Sequence, residues 1–281
     1  MSALDGDLKK FPGLVIPAKN VVELIKKYKL KNERDLMVKI ASEFGGPAQT
    51  PISKYVVTVV GKEKETGDLI IGGNLEFKGA PLGFTVHAEQ FLFARAFHRG
   101  HSIESFALGK PTPCGHCRQF INEFVNGGNI HVFNEAGHEF RIADLLPSSF
   151  GPEQLKQKGI QPGKINYGLK LAKKSKDELA NAALEAANRS YAPYSKCPSG
   201  VVLKTKAGIF SGSYIENAAF NPSLSPLHSA LINLAASGGK WTDVKEVVLA
   251  QTKGAIDQAP AIESLLAAIT PKAAFIIIEV K

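Results

Sequence analysis

Two of the three cysteines in this chain lie close together in the stretch TPCGHC, where Cys114 and Cys117 form a C-x-x-C pair. Such a pair can form a disulfide, hold a structural metal ion or belong to a reactive centre. Three cysteines in 281 residues do not make a disulfide framework, and a reducing compartment keeps a C-x-x-C pair as thiols. The disulfide is therefore the least favoured of the three possibilities.

The H-x-E step formed by His87 and Glu89 is the second chemical feature of the sequence. A structural zinc site is closed by four protein ligands, whereas a catalytic site uses three and leaves one position open for water. The sequence has no second C-x-x-C pair, so Cys114, Cys117 and one histidine would make a set of three. An H-x-E step at a helix start puts Glu89 beside His87 on the same turn, where it can act on the water without binding the ion.

The other histidines fit a metal site less well than His87 does. His116 lies between the two cysteines and is expected to point away from an ion that both of them hold. H-x-E followed by P-C-x-x-C at helix-strand-helix distance is the pattern of zinc deaminases, in which the glutamate is the general acid and base. A structural Cys-Cys-His site beside a fortuitous glutamate is the alternative. Two thiolates leave a zinc-bound water less acidic than three neutral ligands do, which favours a nearby carboxylate as the base.

The elements that must position these residues follow an α/β pattern. Helix-like patches interrupted by proline and glycine occupy the N-terminal segment, and short β-branched runs begin near Pro51. The predicted order is strand, strand, helix, strand, helix, strand, with a turn at Thr66 to Gly67 between the first two strands. The strand segments are YVVTVVG, DLIIGGNLEF, ESFALG and NIHVFN, and the helical segments are HAEQFLFARAFHRG and CGHCRQFINEFVNGG. We therefore expect helices packed on a mixed sheet.

A similar series of segments recurs in the second half of the chain. The anchor pairs are Pro51 with Pro193, Ser53 with Ser195, Glu76 with Glu216, and Pro113 with Pro260. The residues that could do chemistry do not recur, because their counterparts are Ser225 for His87, Leu227 for Glu89, Ala261 for Cys114 and Ser264 for Cys117. The sequence thus predicts two tandem copies of one fold, the second degenerate. A purely structural role for the four residues is disfavoured, since the second copy is expected to fold without them.

These patterns divide the chain into four predicted segments. We expect a helical N-terminal extension at residues 1–46, a catalytic zinc-binding domain at 47–150, a Gly- and Lys-rich linker at 151–174 and a degenerate, non-catalytic domain at 175–281. The last domain opens with SKDE, Ser175 to Glu178, which has the form of a capping box and predicts an Ala-rich helix through Asn188.

The overall charge and hydropathy exclude several classes of protein. The net charge of +8 is spread over lysines near the N-terminus and in the stretch from Lys156 to Lys176, so nucleic-acid binding is not expected. No apolar run approaches the ~20 residues that span a bilayer, and the N-terminal residues lack the apolar centre of a secretion signal. The chain is therefore expected to be a cytoplasmic protein without a membrane partner.

Several segments resemble the two-domain, homodimeric cytidine deaminases of bacteria and plants. They are TVHAEQFL, TPCGHCRQF, NLEF, LLPSSFGP and SYAPYSKCPSG, and the resemblance runs from about Pro51 to the C-terminus. It implies two cytidine-deaminase-like domains, of which only the first binds zinc, with one Zn²⁺ per chain held by His87, Cys114 and Cys117. The implied reaction is the hydrolysis of cytidine and 2′-deoxycytidine to uridine and 2′-deoxyuridine plus ammonia, in pyrimidine salvage. Glu89 matches the proton shuttle from water to N3 of the pyrimidine and later to the departing ammonia.

The resemblance also implies the residues that bind the substrate. Asn74 and Glu76 in NLEF match a pair that hydrogen-bonds the ribose 3′-hydroxyl, a contact that favours free nucleosides over polynucleotides. Tyr55 stands where the family has a phenylalanine against the base, and its ring can stack equally well. The remaining contacts are the backbone groups of Ala88 and Thr112 at the base edge, and Phe150 near the subunit interface.

Two other functions are weighed against this one. A polynucleotide deaminase acting on single-stranded DNA or RNA would use the same chemistry in a more open groove, and the NLEF ribose contact argues against it. A non-catalytic zinc protein that binds a partner would have no reason to keep the His87 and Glu89 pair. The degenerate copy is expected to serve as packing and as a wall for active sites in a homodimer.

Overall fold

The computed structural model of the chain describes residues 2–281, which form two compact units. The first unit contains the described residues up to Glu76 together with Val86–Pro162. The second contains Gly163–Lys281 and the short segment Phe77–Thr85. The units divide after Pro162, within the predicted linker at 151–174, and the predicted domain boundaries themselves stay a prediction.

The first unit is built on a six-stranded mixed sheet in the order β1-β3-β2-β4-β5-β6. Its strands are β1 (Val15–Ile16), β2 (Thr58–Glu63), β3 (Leu69–Gly73), β4 (Ile103–Leu108), β5 (His131–Asn134) and β6 (Glu139–Arg141). Strands β4 and β5 are parallel, and the other neighbours are antiparallel. The predicted turn between β2 and β3 is present, with Gly67 at a φ of +72° that glycine adopts without strain. The expected mixed sheet is confirmed.

The described helices of the first unit cover this sheet. They are α1 (Ala3–Leu8), α2 (Ala18–Lys27), α3 (Glu33–Glu43), α4 (Ala88–Arg99), α5 (Gly115–Ile121) and α6 (Ile142–Leu145). Helices α1 to α3 share one hydrophobic core with the sheet, in which Leu8, Leu36 and Ile40 meet Val60 and Ile71. The N-terminal helices thus help to bury one face of the first unit's sheet.

A buried ion pair fixes the C-terminal end of α4 to the sheet. Arg99 donates through Nε and Nη2 to the fully buried carboxylate of Glu63, at 2.7 and 2.9 Å. The same guanidinium lies 3.1 Å from Asp68, whose other oxygen accepts from the backbone N–H of Ala18 at 3.0 Å. These contacts join α4, the β2–β3 turn and the start of α2, which orients the helix that carries Glu89.

Helix α5 is shorter than the sequence predicted. The pattern CGHCRQFINEFVNGG predicted a helix up to the glycine pair, but the helix ends at Ile121. The next residues instead pair with Ile160. The N–H of Val125 donates to the carbonyl of Ile160 at 3.0 Å, and the N–H of Ile160 donates to the carbonyl of Glu123 at 2.8 Å. Non-local pairing of this kind gives no periodic signal in the sequence.

The second unit repeats the central part of the first. Its strands are β7 (Ser199–Thr205), β8 (Gly208–Ser213), β9 (Glu246–Gln251) and β10 (Ala274–Glu279), and its helices are α7 (Glu178–Asn188), α8 (Pro226–Ala236) and α9 (Ala259–Ile269). The strand order β8-β7-β9-β10, with only β9 and β10 parallel, matches β3-β2-β4-β5. The loop bridges also recur, because Leu75 pairs with Gln49 and Val86 as Ile215 pairs with Tyr191 and Leu224. The predicted tandem copies are confirmed.

The start of α7 differs in detail from the predicted capping box. The helix begins at Glu178 and its N-cap is Asp177, whose carboxylate accepts from the N–H of Ala180 at 2.8 Å. Ser175 lies outside the helix and accepts from the N–H of Asp177 at 3.0 Å. Asp caps a helix about as well as Ser does, and its negative charge also interacts favourably with the helix dipole. The capping box predicted from Ser175 and Glu178 is therefore wrong. The predicted end at Asn188 is correct.

The lengths of the described helices show whether one of them could cross a membrane. A helix that crosses a bilayer needs ~20 predominantly apolar residues. Helix α4 has 12 residues. Among residues 2–281, no helix combines the length and the apolar character that a membrane crossing requires.

Candidate active site

Two helix N-termini bring the predicted site residues together. The backbone N–H and carbonyl groups of Leu75 and Val86 exchange two hydrogen bonds of 2.9 Å, which delivers the chain to His87 at the N-cap of α4. The chain leaves β4 and reaches Cys114 at the N-cap of α5. The sites at which these two helices begin therefore carry the histidine and the two cysteines.

The three donor atoms lie within one small cluster. The Nδ1 atom of His87 is 3.4 Å from the Sγ of Cys114 and 3.3 Å from the Sγ of Cys117. The two sulfurs are 3.6 Å apart, which is too far for a disulfide bond, and both cysteines are free thiols. Among residues 2–281 this is the one His, Cys and acidic-residue group compact enough to hold a metal ion. One imidazole and two sulfurs are donors that zinc accepts, and a set of three protein ligands leaves one position open.

The protonation of the cysteines also fits a cation at this place. Hydrogen bonds from Cys117 and His87 hold the pKa of Cys114 well below that of an ordinary thiol. Burial raises the pKa of Cys117 well above its usual value, and the charge of a Cys114 thiolate adds to this rise. Two adjacent thiolates therefore repel one another unless a positive charge lies between them. A divalent cation would supply that charge.

Glu89 lies beside this cluster in the first turn of α4 and is only 4% exposed. Burial raises the pKa of its carboxyl group, and the nearby Cys114 sulfur adds to the rise. The carboxyl group also shares a hydrogen bond with the Cys117 thiol. A raised pKa makes the carboxylate a stronger base, which favours the role of proton acceptor.

Arg118 supports the cysteine loop and was not singled out from the sequence. Its guanidinium donates to the carbonyl of Pro113 at 2.7 Å, to the carbonyl of Leu145 at 2.8 Å and to the hydroxyl of Thr112 at 3.3 Å. These bonds fix the backbone immediately before Cys114. The position of Arg118, one helical turn after Cys114, is the sequence feature that could have indicated this supporting role. A single arginine at such a position is also typical of an exposed helix face, so the feature is not specific.

Asn74 holds the loop that carries Tyr55. Its side chain accepts from the N–H of Val57 and donates to the carbonyl of Tyr55, both at 3.0 Å. The tyrosine ring is 54% exposed, and the ammonium group of Lys110 lies 4.6 Å from the ring centre. The ring is thus available for stacking, with a cation on one face.

Glu76 is a buried carboxylate that supports the same loop. It accepts from the N–H groups of Ile52 and Ser53 at 2.8 and 2.9 Å, and from the Ser53 hydroxyl. Burial opposes its ionisation, but these hydrogen bonds hold the pKa of Glu76 below its ordinary value. The second unit keeps the arrangement, since Glu216 accepts from the N–H of Ser195 at 3.3 Å. Glu76 thus has a structural role in addition to the predicted contact with ribose.

The other predicted substrate residues lie on different parts of the first unit. Ala88 is buried as the first residue of α4, and Thr112 lies two residues before Cys114. The ring of Phe150 is 47% exposed, while its carbonyl accepts from Gln119 at 2.9 Å and from Asn122 at 3.2 Å. Phe150 is therefore held on α5 by its backbone, and no contact joins its ring to the metal-binding cluster in the described structure.

The corresponding region of the second unit is filled by protein. Cys197 stands at the position of Tyr55, and a Cβ atom on Gly254 would lie 2.1 Å from its sulfur. Tyr214 stands at the position of Asn74, and its hydroxyl shares hydrogen bonds with Ser223 and Gln258. The loop from Thr252 to Gln258 thus packs against Cys197 and Tyr214, which correspond to Tyr55 and Asn74 of the first unit.

The chain is similar in sequence to known proteins. Models of the cytidine and deoxycytidylate deaminase zinc-binding region match residues 31–130 and 142–262. The chain is 44% identical to the cytidine deaminase of Cronobacter sakazakii over 205 residues, which cover 73% of this chain and 68% of the relative. It is 42% identical to the cytidine deaminase of Proteus mirabilis over 219 residues, which cover 78% of this chain and 74% of that relative. A solved structure of cytidine deaminase from Mycobacterium leprae is 27% identical with a TM-score of 0.36, covering 41% of this chain and 97% of that one.

The tandem α/β units and the His-Cys-Cys cluster define an enzyme of the zinc-binding deaminase class. The chain belongs to the cytidine and deoxycytidylate deaminase family.

Proposed function

We propose that this chain hydrolyses cytidine and 2′-deoxycytidine to uridine and 2′-deoxyuridine with release of ammonia, as an enzyme of pyrimidine salvage. The observation that carries the proposal is the cluster of His87, Cys114 and Cys117 with the buried Glu89 beside it. The relatives named cytidine deaminase, at 41–44% identity, support the choice of substrate.

The chain's own residues divide the work of the reaction. Zinc bound by His87, Cys114 and Cys117 would supply a Lewis acid that activates water for attack on C4 of the pyrimidine. Glu89 takes the proton of that water and delivers it to N3. It then takes the remaining proton from the new C4 hydroxyl group and passes it to the amino group, so that the C4=O bond forms as the C4–N bond breaks and ammonia leaves. Burial of Glu89 keeps bulk water away from these transfers.

The substrate contacts form part of the same proposal. Asn74 and Glu76 bind the ribose 3′-hydroxyl, and the Tyr55 ring stacks against the base. Backbone groups of Ala88 and Thr112 meet the base edge. Asn74 and Glu76 both support the loop that carries Tyr55, so the ribose and the ring would be held in a fixed relation.

A polynucleotide deaminase is the second candidate, and one observation favours it. The exposed Tyr55 ring with Lys110 above it offers a stacking surface and a cation, which single-stranded nucleic acid could use. The two candidates differ in their tolerance of an esterified 3′-oxygen. Turnover of cytidine is therefore compared with turnover of an oligonucleotide that contains one cytosine. We expect the nucleoside to be converted and the oligonucleotide to be left unchanged, and selective turnover of the oligonucleotide would reverse the assignment.

Assembly and location complete the proposal. We propose a cytoplasmic homodimer in which each active site is closed partly by the partner chain and in which Phe150 lies near the interface. The exposed ring of Phe150, fixed by its carbonyl, supports this placement.

A further inference from the structure

The segment Phe77–Thr85 has an unusual place in the chain. Its contacts assign it to the second unit, although it joins Glu76 to Val86 and His87 of the first unit. Its ends are close together, since Leu75 and Val86 exchange two backbone hydrogen bonds of 2.9 Å. The segment is therefore a closed loop, with the proposed ribose ligand at one end and the histidine of the metal-binding cluster at the other.

Aromatic contacts hold this loop within the second unit. The Phe84 ring stacks on the His228 ring at a centroid distance of 5.7 Å and an angle of 25°. The Phe77 ring, which is 2% exposed, lies 5.8 Å from His228 and 5.2 Å from Trp241. His228 thus contacts both ends of the loop.

The orientation of His228 is set by the residue that stands where the first unit has a metal ligand. Ser225 is the N-cap of α8, as His87 is the N-cap of α4. Its hydroxyl lies 2.6 Å from Nδ1 of His228 and also accepts from the N–H of that residue at 3.2 Å. The start of α8 corresponds to the start of α4, where His87 stands. In α8 this position holds the ring of His228 instead of a metal ligand.

We propose that the degenerate unit positions the active site, with His228 acting as the residue that holds Phe77–Thr85 and thereby sets Glu76 and His87. The proposal rests on the proposed function, because it assigns these two residues to substrate and to metal. His228 touches neither the substrate nor the reacting atoms, so it is a positioning residue. This role explains why the second copy persists after losing its ligands.

The test compares variants of the loop contact with matched controls. His228→Ala removes the ring, His228→Phe keeps one, and Phe84→Ala removes its stacking partner, which is partly exposed and outside the core. Leu82→Ala changes a side chain of the same loop that is 73% exposed. Val202→Ala changes a fully buried side chain in the core of the second unit, away from the loop.

Two quantities are measured well below the unfolding temperature, namely the rate at which a chelator removes Zn²⁺ and the KM for cytidine. In His228→Ala and Phe84→Ala we expect both to rise by roughly threefold to tenfold, the range that loss of an aromatic pair produces. The kcat is expected to change less than about twofold, because Glu89 lies within α4, whose C-terminal end is held to the sheet by Arg99 and Glu63. Leu82→Ala is expected to match the wild type, and His228→Phe, which keeps a ring but loses the hydrogen bond to Ser225, is expected to raise both quantities less than His228→Ala does. Val202→Ala is expected to lower Tm while leaving both quantities unchanged.

Trp241 offers a readout that does not depend on activity. It is the only tryptophan in the sequence and lies against Phe77. We expect its fluorescence emission to shift when Zn²⁺ is removed from the wild-type chain, and to shift less in Phe84→Ala. A wild-type chain that binds zinc but fails to deaminate cytidine would reject the proposed function alone. The Trp241 emission and the Zn²⁺ release rate would still test the positioning role of His228 in that case.

Three results would overturn the positioning role. One is a His228→Ala variant whose Zn²⁺ release and KM match those of Val202→Ala. Another is a Trp241 emission spectrum that is the same with and without zinc in the wild type. A wild-type chain that binds no zinc would overturn both the positioning role and the proposed function.

Discussion

At the scale of single residues, the chemistry of the site depends on charge balance around two sulfurs. Burial disfavours a second thiolate at Cys117 while Cys114 is ionised. Zinc bound here would relieve that repulsion, because two thiolates and one neutral imidazole cancel its charge. Its water would then be less acidic, which is why the proposed mechanism uses the nearby Glu89 carboxylate as a base. The donor set and the proposed shuttle would therefore be parts of one electrostatic arrangement.

Replacing one donor should release the metal, whereas replacing the third cysteine should not. We expect Cys117→Ser to weaken zinc binding by more than about a hundredfold. Replacing a residue that only hydrogen-bonds to a metal ligand already weakens binding by up to about a hundredfold, and Cys117 is itself a proposed ligand. Cys197→Ser is the matched control, because Cys197 is also buried but lies in the second unit and outside the cluster. Metal analysis after dialysis measures both. Full zinc in Cys117→Ser, or loss of zinc in Cys197→Ser, would contradict the assignment.

The sequence could indicate the cluster of His87, Cys114 and Cys117 because the spacing within each motif is local. H-x-E and C-x-x-C each fit within one turn at a helix start, and both helices begin where the sequence placed them. The supporting contacts were not predictable. Arg118 contacts Leu145, 27 positions away, and the contact of Lys110 with Tyr55 also joins distant parts of the chain. Such contacts depend on how the loops fold together, and residue types alone do not reveal them.

At the scale of secondary-structure elements, α8 shows how a helix start can be reused. Its N-cap serine fixes His228, which is buried and neutral. Burial lowers the pKa of His228 to about 4, because the charged imidazolium loses its hydration. A charged histidine at this position would therefore lower the stability of the second unit.

The stability of the second unit should consequently fall in mild acid. The pKa of His228 is about 4 in the folded chain and returns to 6.5 on unfolding. Between these values the unfolded chain binds one proton more than the folded chain does. The free energy of unfolding should therefore decrease as pH falls through this window, by up to about 1.4 kcal/mol per pH unit.

Urea unfolding followed by Trp241 fluorescence at pH 6.5, 5.5 and 4.5 measures this dependence. His228→Gln is the control, because it removes the titrating group and leaves every other histidine in place. Its free energy of unfolding is expected to change less over this range than that of the wild type. Equal pH dependence in the two proteins would show that His228 is not buried in its neutral form.

The sequence predicted the type and order of the elements better than their ends. Strands β2 to β5 and helices α2, α3 and α4 follow from strong patterns of apolar residues. The early end of α5 and the cap of α7 were missed, because each depends on a competing hydrogen bond. For α5 the competitor is Ile160, far along the chain, and for α7 it is the Asp177 carboxylate. Local patterns do not decide between two available partners.

At the scale of the whole molecule, residues 2–281 form two copies of a fold but contain one group of side chains that could hold a metal ion. Sequence anchors such as Glu76 and Glu216 identified the repeat correctly, because both carboxylates cap the same kind of loop. The sequence did not reveal that Phe77–Thr85 folds with the second unit. That division depends on packing between residues that are more than a hundred positions apart.

The proposed assembly has its own test. Sedimentation of the active protein at assay concentration should give the mass of a dimer, and dilution below the dimer's dissociation constant should reduce activity in parallel with the dimer fraction. The parallel loss is expected because each site is proposed to need the partner chain. A fully active monomer would contradict the homodimer and the role proposed for Phe150.

The central claim is that a zinc site with Glu89 as its proton shuttle deaminates cytidine. Its most direct test measures zinc content, ammonia release and the fall in cytidine absorbance for the wild type and Glu89→Gln side by side. We predict one zinc per chain in both proteins, conversion of cytidine to uridine by the wild type, and a loss of at least about a hundredfold in the variant. Unchanged ammonia release by Glu89→Gln, or turnover by wild-type protein that contains no zinc, would contradict the account.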